Sequence, residues 1–381
     1  MSPSAPLRVG IVCDLLEEHW PSMDLVADEL LRTLPGVTAP EVAPVRIRPA
    51  MPGWPAAVAR MTHAKAVVNA NRYLDRHRRY PRWLRRHRGR HDAYHVVDHT
   101  YAHLVHELPA TRTIVTCHDV DAFRSLFDPS TEPRGVMFRH MTQRVLDGLR
   151  RAAVVTCDSV ATRDALVEHG LRTARLEVVP LGVHPAFTPA TGGDAAASTA
   201  APTLLHVGST IPRKRIDVLL EVFARIRDQV PDAHLIRIGG EFTAPQRALA
   251  RRLGVDGAIT VMPRVEREVL ADMYCRAALV LLPSEAEGFG LPVVEAMACA
   301  TPVAASDLPV LREVGGTAAS YAAVADVDRW TSVVTGLLVE RATCPEKWEQ
   351  RRRAAVIQAG RFTWEECARR MAGLYAEVAG A

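Results

Sequence analysis

The chain has 381 residues, of which 48% are hydrophobic and 24% are charged, and its formal net charge is +4. This length exceeds what one hydrophobic core usually serves, so the sequence predicts two domains. The weak positive charge gives no reason to expect nucleic acid as a partner. No apolar run approaches the roughly 18 residues of a membrane-spanning helix, and the start of the chain lacks a signal-peptide pattern. We therefore expect a cytoplasmic protein.

Short apolar runs alternate with helical patterns in the first half, which is typical of a parallel sheet covered by helices. The predicted strands are Leu7–Cys13, Tyr94–Asp98, Thr113–Cys117, Val154–Cys157 and Leu176–Val179. The predicted helices are Met23–Leu34, Val136–Arg150 and Ser159–His169. This pattern predicts one α/β domain over residues 1–181.

Residues 76–91, RHRRYPRWLRRHRGRH, are densely basic and interleaved with Tyr80, Trp83 and Leu84. Three interpretations stay open for this segment: a solvated amphipathic helix, a contact with an anionic membrane, or a surface that binds a substrate or partner.

His118 and Asp119 follow the predicted strand Thr113–Cys117 directly, and Asp98 and His99 follow a neighbouring one. Open α/β sheets bind ligands at the carboxyl ends of their strands. His118 is therefore either a ligand-facing group or a hydrogen-bonded loop histidine.

Residues 182–202 include a stretch rich in Ala, Thr, Gly and Pro, which predicts an interdomain linker. The strand–helix alternation then resumes and predicts a second α/β domain over residues 203–360. Its predicted strands are Leu204–Gly208, Leu235–Gly239, Ile259–Met262, Ala278–Pro283 and Pro302–Ala305. Its predicted helices are Ile216–Arg227, Pro245–Leu253, Glu266–Arg276 and Leu291–Ala300. A last amphipathic helix is predicted within residues 361–381.

A basic loop follows the first strand of this second domain, in LLHVGSTIPRKRID. Lys214 is one of only three lysines in the chain, against 44 arginines. A lysine binds phosphate as a point charge and Arg213 as a bidentate fork. A solvated basic loop is the alternative.

The segment 285–316 contains EGFGLPVVEAMA, in which an apolar strand leads through a Gly-containing loop into a helix. Gly288 and Gly290 allow the backbone to approach a ligand, and the helix start offers free N–H groups. Glu287 and Glu295, with seven residues between them, are carboxylates that accept hydrogen bonds from adjacent hydroxyls. Taken alone, two glutamates around a helix start are more often a solvated edge and a helix cap.

The whole string resembles glycosyltransferase family 4, the retaining GT-B glycosyltransferases, whose hallmark is two glutamates separated by seven residues in this context. The resemblance implies a GT-B fold, α/β with two Rossmann-like parallel-sheet domains facing a deep cleft. It also implies that the helix in 361–381 crosses back to the first domain. The first domain would bind the acceptor, and the second a nucleotide diphosphate sugar.

The resemblance also implies residue roles. Glu295 would hold the ribose hydroxyls and Glu287 the donor sugar, while His118 would face the donor sugar from the first domain. Ser209 stands where the family carries an arginine after Gly208, so we expect Arg213 to supply the missing charge. The expected donor-binding residues are Gly208, Ser209, Arg213, Lys214, Arg264, Gly288, Phe289, Gly290, Leu291 and Glu295.

The prediction is a retaining hexosyltransferase that uses a UDP- or GDP-sugar and a polyhydroxylated, soluble acceptor. Glu17, Glu18, His19 and Trp20 replace the Gly-rich acceptor loop of many relatives. A membrane-associated transferase acting on a lipid or polysaccharide precursor is the alternative, and an epimerase, a phosphorylase and a nucleotide-binding scaffold are further rivals.

We expect no cofactor and no metal. The pairs Asp119/Asp121 and Asp326/Asp328 have the DxD spacing that holds a metal in other transferases, but this spacing is common by chance. The seven cysteines show no metal-ligand spacing.

Overall fold

The computed structural model describes residues 5–18, 21–50, 71–130, 132–190 and 201–380. Two compact units make up the fold. Unit 1 comprises Met1–Gly182 together with Trp364–Ala381, and unit 2 comprises Val183–Thr363. Residues 191–200, in the predicted linker, lie outside the described residues.

The sheet of unit 1 is parallel throughout its described strands. These strands are β1 (Leu7–Val12), β2 (Val42–Ile47), β3 (Ala93–Val96), β4 (Thr113–Cys117), β5 (Val154–Cys157) and β6 (Leu176–Val178). They pair in the order β2-β1-β3-β4-β5-β6. Strands β3, β4 and β5 are buried along their whole length, as expected for parallel strands with both faces covered.

The sheet of unit 2 is also parallel in its described strands. They are β7 (Thr203–Val207), β8 (His234–Ile238), β9 (Ile259–Met262), β10 (Leu279–Leu282), β11 (Val303–Ser306) and β12 (Ser320–Ala322). They pair in the order β12-β11-β10-β7-β8-β9. The strand order reverses between β7 and β10, and a ligand crevice lies at such a reversal in open α/β sheets.

Helices connect the strands in both units. In unit 1 they begin with α1 (Pro21–Thr33), α2 (Tyr80–His87), α3 (Arg124–Phe127), α4 (Val136–Arg151) and α5 (Val160–Glu168). Unit 2 carries α6 (Ile216–Gln229), α7 (Ala244–Arg252), α8 (Arg267–Arg276), α9 (Leu291–Ala298), α10 (Pro309–Gly315), α11 (Val327–Thr343) and α12 (Pro345–Ala359). The last helix, α13 (Trp364–Ala379), belongs to unit 1.

Each unit has its own hydrophobic core. In unit 1 the buried face of α13 includes Trp364, Cys367, Met371 and Leu374, and Tyr375 hydrogen-bonds His95 of β3 at 2.7 Å. The core of unit 2 lies between the sheet and the long helices α6 and α11.

The α/β class and the parallel sheets confirm the predicted fold class, whereas several elements were missed or misplaced. Strand β2 contains Pro44 and lies at a sheet edge, where proline is tolerated although it obscures a strand pattern. The predicted strand Tyr94–Asp98 ends at Val96, because Asp98 instead caps the 3-10 helix His99–Glu107. Helices α10 and α12 were also missed, whereas α11 begins after Asp326, where a helix start is predicted.

Candidate functional site

The loops after β7 and β10 meet at the carboxyl edge of unit 2, where the strand order reverses. The backbone N–H of Glu285, in the second loop, donates to the carbonyl of Arg213, in the first, at 2.8 Å. The two sequence motifs, about 70 residues apart, therefore form one structure.

Glu287 and Lys214 form an ion pair in this structure. Lys214 Nζ lies 2.6 Å from Glu287 Oε1, and the side chains are only 11% and 7% exposed. Arg213 Nη1 lies 3.9 Å from Glu287 Oε2 and donates to the carbonyl of Ala286 at 3.0 Å. The geometry thus places two cations and one carboxylate at the reversal of the sheet.

The α9 helix begins directly after this loop. Gly290 has φ +96°, a left-handed conformation that favours glycine, and a Cβ there would lie 2.7 Å from Leu311 Cδ2. Leu291 is the first helical residue and Pro292 the second, which suits the first turn of a helix. The positive dipole end of α9 makes this turn suitable for an anion. Gly288 lies in the preceding loop.

Glu295 is the other glutamate of the motif and lies on α9. Tyr274 of α8 donates a hydrogen bond to Glu295 Oε2 at 3.0 Å. Burial raises the pKa of Glu295 to about 7, although Tyr274, Arg267 and Arg264 act in the opposite direction. Arg264, assigned to the donor site from the sequence, is exposed and acts on this carboxylate only through its charge.

Three other predicted positions differ in their surroundings. Phe289 is buried with its ring 5.6 Å from that of Phe362 in an edge-on contact, so its contact is with the protein interior. Ser209 is exposed in the loop after β7. The carbonyl of Gly208 accepts a hydrogen bond at 2.7 Å from Arg237, a residue that the sequence reasoning missed. Its signal was an arginine within the otherwise apolar strand HLIRI.

His118 lies at the carboxyl edge of unit 1 with partners on both ring nitrogens. Nδ1 lies 2.6 Å from Asp158 Oδ2, and Nε2 lies 2.7 Å from the carbonyl of Val97. Burial disfavours the charged ring, but Asp158 and Asp98 outweigh it and raise the pKa of His118 to about 9. The described contacts match a hydrogen-bonded loop histidine, and a bond from Nε2 to a ligand requires release of the Val97 carbonyl. Asp158, the first residue after β5, was missed.

A buried acid pair lies beside this histidine, at the ends of β1 and β3. Asp14 is 4% exposed, and its carboxyl group faces that of Asp98 closely enough for the two to share a hydrogen bond. Burial and the neighbouring Asp98 raise the pKa of Asp14 well above its usual range. Burial also opposes the ionisation of Asp98, yet His99 and His118 hold its pKa below the ordinary value.

The predicted loop at residues 15–24 is described in part, because His19 and Trp20 lie outside the described residues. Glu17 is exposed. Glu18 is buried and lies 3.4 Å from Arg76, so it belongs to the interior of unit 1 rather than to an open loop.

The basic segment 76–91 is mainly a structural helix of unit 1. Tyr80 and Leu84 are fully buried, and Tyr80 Oη donates to the carbonyls of Cys13 and Ile47 at 2.9 and 3.0 Å. Trp83 stacks on His87 with ring centroids 4.0 Å apart. The exposed side chains of the segment 76–91 are all arginines: Arg78, Arg82, Arg85, Arg86, Arg88 and Arg90.

Neither DxD pair forms part of a metal-ligating cluster. Asp326 caps α11 by accepting the N–H of Arg329 at 2.9 Å, and Asp119 accepts the N–H of Asp121 at 3.0 Å. Across residues 5–18, 21–50, 71–130, 132–190 and 201–380, no group of three or more His, Cys, Asp or Glu side chains could hold a metal. Over the same ranges, no helix is long and apolar enough to cross a membrane.

Two parallel β-sheets, one of them with a glycine-bearing, cationic loop at its reversal, define a two-unit α/β protein. Two family models match the chain: Glycosyltransferase Family 4 over residues 42–187, and Glycosyl transferases group 1 over residues 194–341. The chain belongs to glycosyltransferase family 4, with the GT-B fold.

Relatives and solved structures agree with this family. The chain is 33% identical over 246 residues to a D-inositol 3-phosphate glycosyltransferase of Xylanimonas cellulosilytica, covering 59% of this chain and 57% of the relative. It is 35% identical over 240 residues to the protein of that name from Mycobacterium avium, covering 58% and 54%. The chain thus spans about half the length of the curated relatives that it matches.

The fold is shared with solved structures at low sequence identity. A sucrose-phosphate synthase of Thermosynechococcus elongatus aligns with a TM-score of 0.69 and 18% identity, over 97% of this chain and 98% of that one. Anabaena Alr3699/HepE, solved in complex with UDP and glucose, aligns with a TM-score of 0.69 and 14% identity, over 97% and 99%.

Proposed function

We propose that this protein transfers a hexosyl group from a nucleotide diphosphate sugar to a hydroxyl of a small, soluble acceptor, with retention of anomeric configuration. The observation that carries the proposal is the meeting of the two loops at the reversal of the unit 2 sheet. There, Lys214, Arg213 and the start of α9 offer positive charge beside Glu287.

In this proposal, unit 2 binds the donor. The diphosphate lies at the first turn of α9 and draws Lys214 away from Glu287, which then accepts hydrogen bonds from the donor sugar. Glu295 accepts hydrogen bonds from the ribose hydroxyls. The protein's contribution to the reaction is electrostatic support of the departing diphosphate, with no covalent nucleophile from the chain.

Unit 1 is proposed to bind the acceptor. The inositol phosphate in the names of the relatives is a polyhydroxylated small molecule, which is the class we propose here. The buried carboxyl groups of Asp14 and Asp98 offer oxygen atoms that suit hydroxyl or amine donors. In this proposal, His118 is positively charged beside Asp158 and faces the donor sugar.

A thermal-shift panel of UDP- and GDP-sugars tests the donor assignment, because a ligand at 100 times its Kd stabilises the folded state by about 2.7 kcal/mol. Product analysis by NMR with the best donor then gives the anomeric configuration. Inversion contradicts the proposed mechanism. Turnover without an acceptor to an isomeric donor indicates an epimerase, dependence on inorganic phosphate indicates a phosphorylase, and binding without turnover indicates a scaffold.

We also propose that the reaction needs no metal, because Lys214, Arg213 and the start of α9 can balance the diphosphate charge. Activity should persist after treatment with EDTA. Complete loss with EDTA that Mg²⁺ or Mn²⁺ restores contradicts this proposal.

A further inference from the structure

Arg237 is a buried cation beneath the loop that follows β7. Its side chain is fully buried on β8, with its guanidinium 5.6 Å from the ring of Phe242. Nη2 donates to the carbonyl of Gly208 at 2.7 Å and lies 3.4 Å from that of Gly239. Nε and Nη1 have no partner among the described residues.

The contact with Gly208 depends on a close approach between two backbone segments. Gly239 has φ +127°, and a Cβ at this position would lie 2.0 Å from the carbonyl oxygen of Gly208. Only glycine fits there, so the sequence of the β8 loop permits the carbonyl of Gly208 to reach the guanidinium.

This bond fixes the orientation of the Gly208–Ser209 peptide. In a trans peptide the C=O and the following N–H point in opposite directions. Because the carbonyl of Gly208 points to Arg237 on β8, the N–H of Ser209 points away from Arg237. No backbone carbonyl in the described part of the chain accepts from the N–H of Ser209.

The carboxylate that favours the charge of Arg237 is that of Glu241, which is 75% exposed and pairs instead with Arg247 at 3.5 Å. No carboxylate among the described residues forms an ion pair with Arg237. His206 lies directly beside it in the register of β7 and β8. Burial, Arg237 and Lys214 lower the pKa of His206 to about 3, so His206 is a neutral neighbour. A buried cation without an ion-pair partner costs free energy, which an anionic ligand at the loop would offset.

We propose that Arg237 is a positioning residue for the donor diphosphate. It holds the N–H of Ser209 directed away from β8 as a phosphate donor and supplies positive charge from beneath the loop. This inference rests on the proposed donor site in unit 2.

The test compares wild type with Arg237→Met and Arg237→Lys. Arg341→Met serves as the matched control, because Arg341 is also a buried arginine of unit 2 but lies on α11, away from these loops. The probe is UDP or GDP, whichever wild type binds more tightly, and the corresponding nucleoside is the comparison. Calorimetry gives both dissociation constants, and melting of the ligand-free proteins gives their Tm.

We expect Arg237→Met to weaken binding of the nucleoside diphosphate about tenfold or more, since hydrogen bonds and charge at an ionised ligand are lost together. Nucleoside affinity should change less than twofold. The ligand-free Tm should change little, because the loss of the hydrogen bond to Gly208 is offset by the removal of a buried charge. Arg237→Lys keeps the positive charge but loses the forked guanidinium, so its affinity for the nucleoside diphosphate should lie between those of wild type and Arg237→Met. Arg341→Met should bind the diphosphate as wild type does.

An unchanged ratio of diphosphate to nucleoside affinity, with or without a lower Tm, assigns Arg237 a purely structural role and overturns the inference. If Arg237→Met does not fold, the ratio for Arg237→Lys decides, and a wild-type value overturns it. Wild type that binds neither UDP nor GDP defeats the proposed donor site itself, so the two failures are distinguishable.

Discussion

The two units share a parallel architecture but differ in the charged side chains at the carboxyl edges of their sheets. In unit 2 the edge collects Lys214, Arg213 and the buried Arg237. In unit 1 it collects Asp14, Asp98 and Asp158. The fold decides where the loops converge, and the side chains decide which chemistry takes place there. A cationic edge suits a diphosphate, whereas an acidic edge suits groups that donate hydrogen bonds.

The two edges also differ in how their charges are balanced within the protein. In unit 1, Asp158 has His118 at 2.6 Å, and Asp98 accepts the N–H of Thr100 at 2.8 Å. In unit 2, Lys214 has a single carboxylate, Glu287, which we assign to the substrate. The cationic edge is therefore the one whose charges a ligand can rearrange.

The largest effect is expected at Glu287. Glu287→Ala should lower kcat with a sugar donor by about 100-fold, a typical loss when a group that acts in the transition state is removed. Binding of the free nucleoside diphosphate should not weaken, because Lys214 loses the carboxylate that competes for it. Glu295→Ala should show the reverse pattern, with a loss in nucleotide affinity. Equal and small effects of both substitutions contradict the division of roles.

The next largest effect concerns the cations of the loop after β7. Lys214→Ala and Arg213→Ala should each weaken diphosphate binding by about 10- to 100-fold, and leave the nucleoside unaffected. Calorimetry with UDP or GDP and its nucleoside measures both. Arg225→Ala is a control, because this exposed arginine of α6 pairs with Asp328 instead. If Lys214→Ala abolishes binding while Arg213→Ala has no effect, Arg213 does not compensate for the arginine missing at Ser209.

A smaller effect is expected from the pH dependence of Glu295. Its pKa of about 7 means that the carboxyl is largely protonated at pH 6. Ribose hydroxyls favour the ionised form, so nucleotide binding should release a proton at pH 6, and affinity should increase toward pH 8. Calorimetry at pH 6 in buffers of different ionisation enthalpy counts the protons. Glu295→Gln should remove this release, and persistence of the same release in that variant contradicts the assignment.

In unit 1 the corresponding test concerns stability. The pKa of His118 is raised to about 9 by Asp158, so the ion pair stabilises the fold fully below the unfolded value of 6.5 and loses this contribution as pH rises through 9. Asp158→Asn should therefore destabilise the protein by about 2 kcal/mol at pH 6, and by less at pH 9.5. Urea denaturation followed at both pH values measures the difference.

Asp164→Asn is the matched control for this prediction, since Asp164 is an exposed acid of α5 paired with Arg163. An exposed ion pair contributes little, so this variant should be as stable as wild type at both pH values. A destabilisation by Asp158→Asn that does not change with pH contradicts a charged His118.

The sequence predicted the parts of the fold whose signals are local. Continuous apolar runs such as Thr113–Cys117 appear at their predicted bounds, because burial on both faces selects the same residues all along a strand. The edge strands β2 and β12 were missed, since a proline and a length of three residues weaken their patterns.

The residues of the candidate site were likewise predicted only where their signal is local. The glutamate pair and Gly290 belong to one contiguous motif, which is visible without a structure. Arg237 and Asp158 were not predicted, because their roles arise from the pairing of distant strands: Arg237 reaches Gly208 only through the β7–β8 register, and Asp158 reaches His118 only through β4–β5.

The smallest effect is expected for the binding of the basic helix α2 of unit 1 to an anionic membrane. Attraction to anionic lipid is worth about 1 kcal/mol per basic residue near the surface, and salt screens it. Tyr80 and Leu84, which could anchor the helix by insertion, are buried in unit 1. We therefore expect little co-sedimentation with vesicles containing phosphatidylserine at 0.15 M salt, with Arg82→Glu/Arg86→Glu as the matched variant. Strong binding that falls steeply with salt and is lost in this variant, together with turnover only on a lipid-linked acceptor, contradicts the soluble acceptor proposed for unit 1.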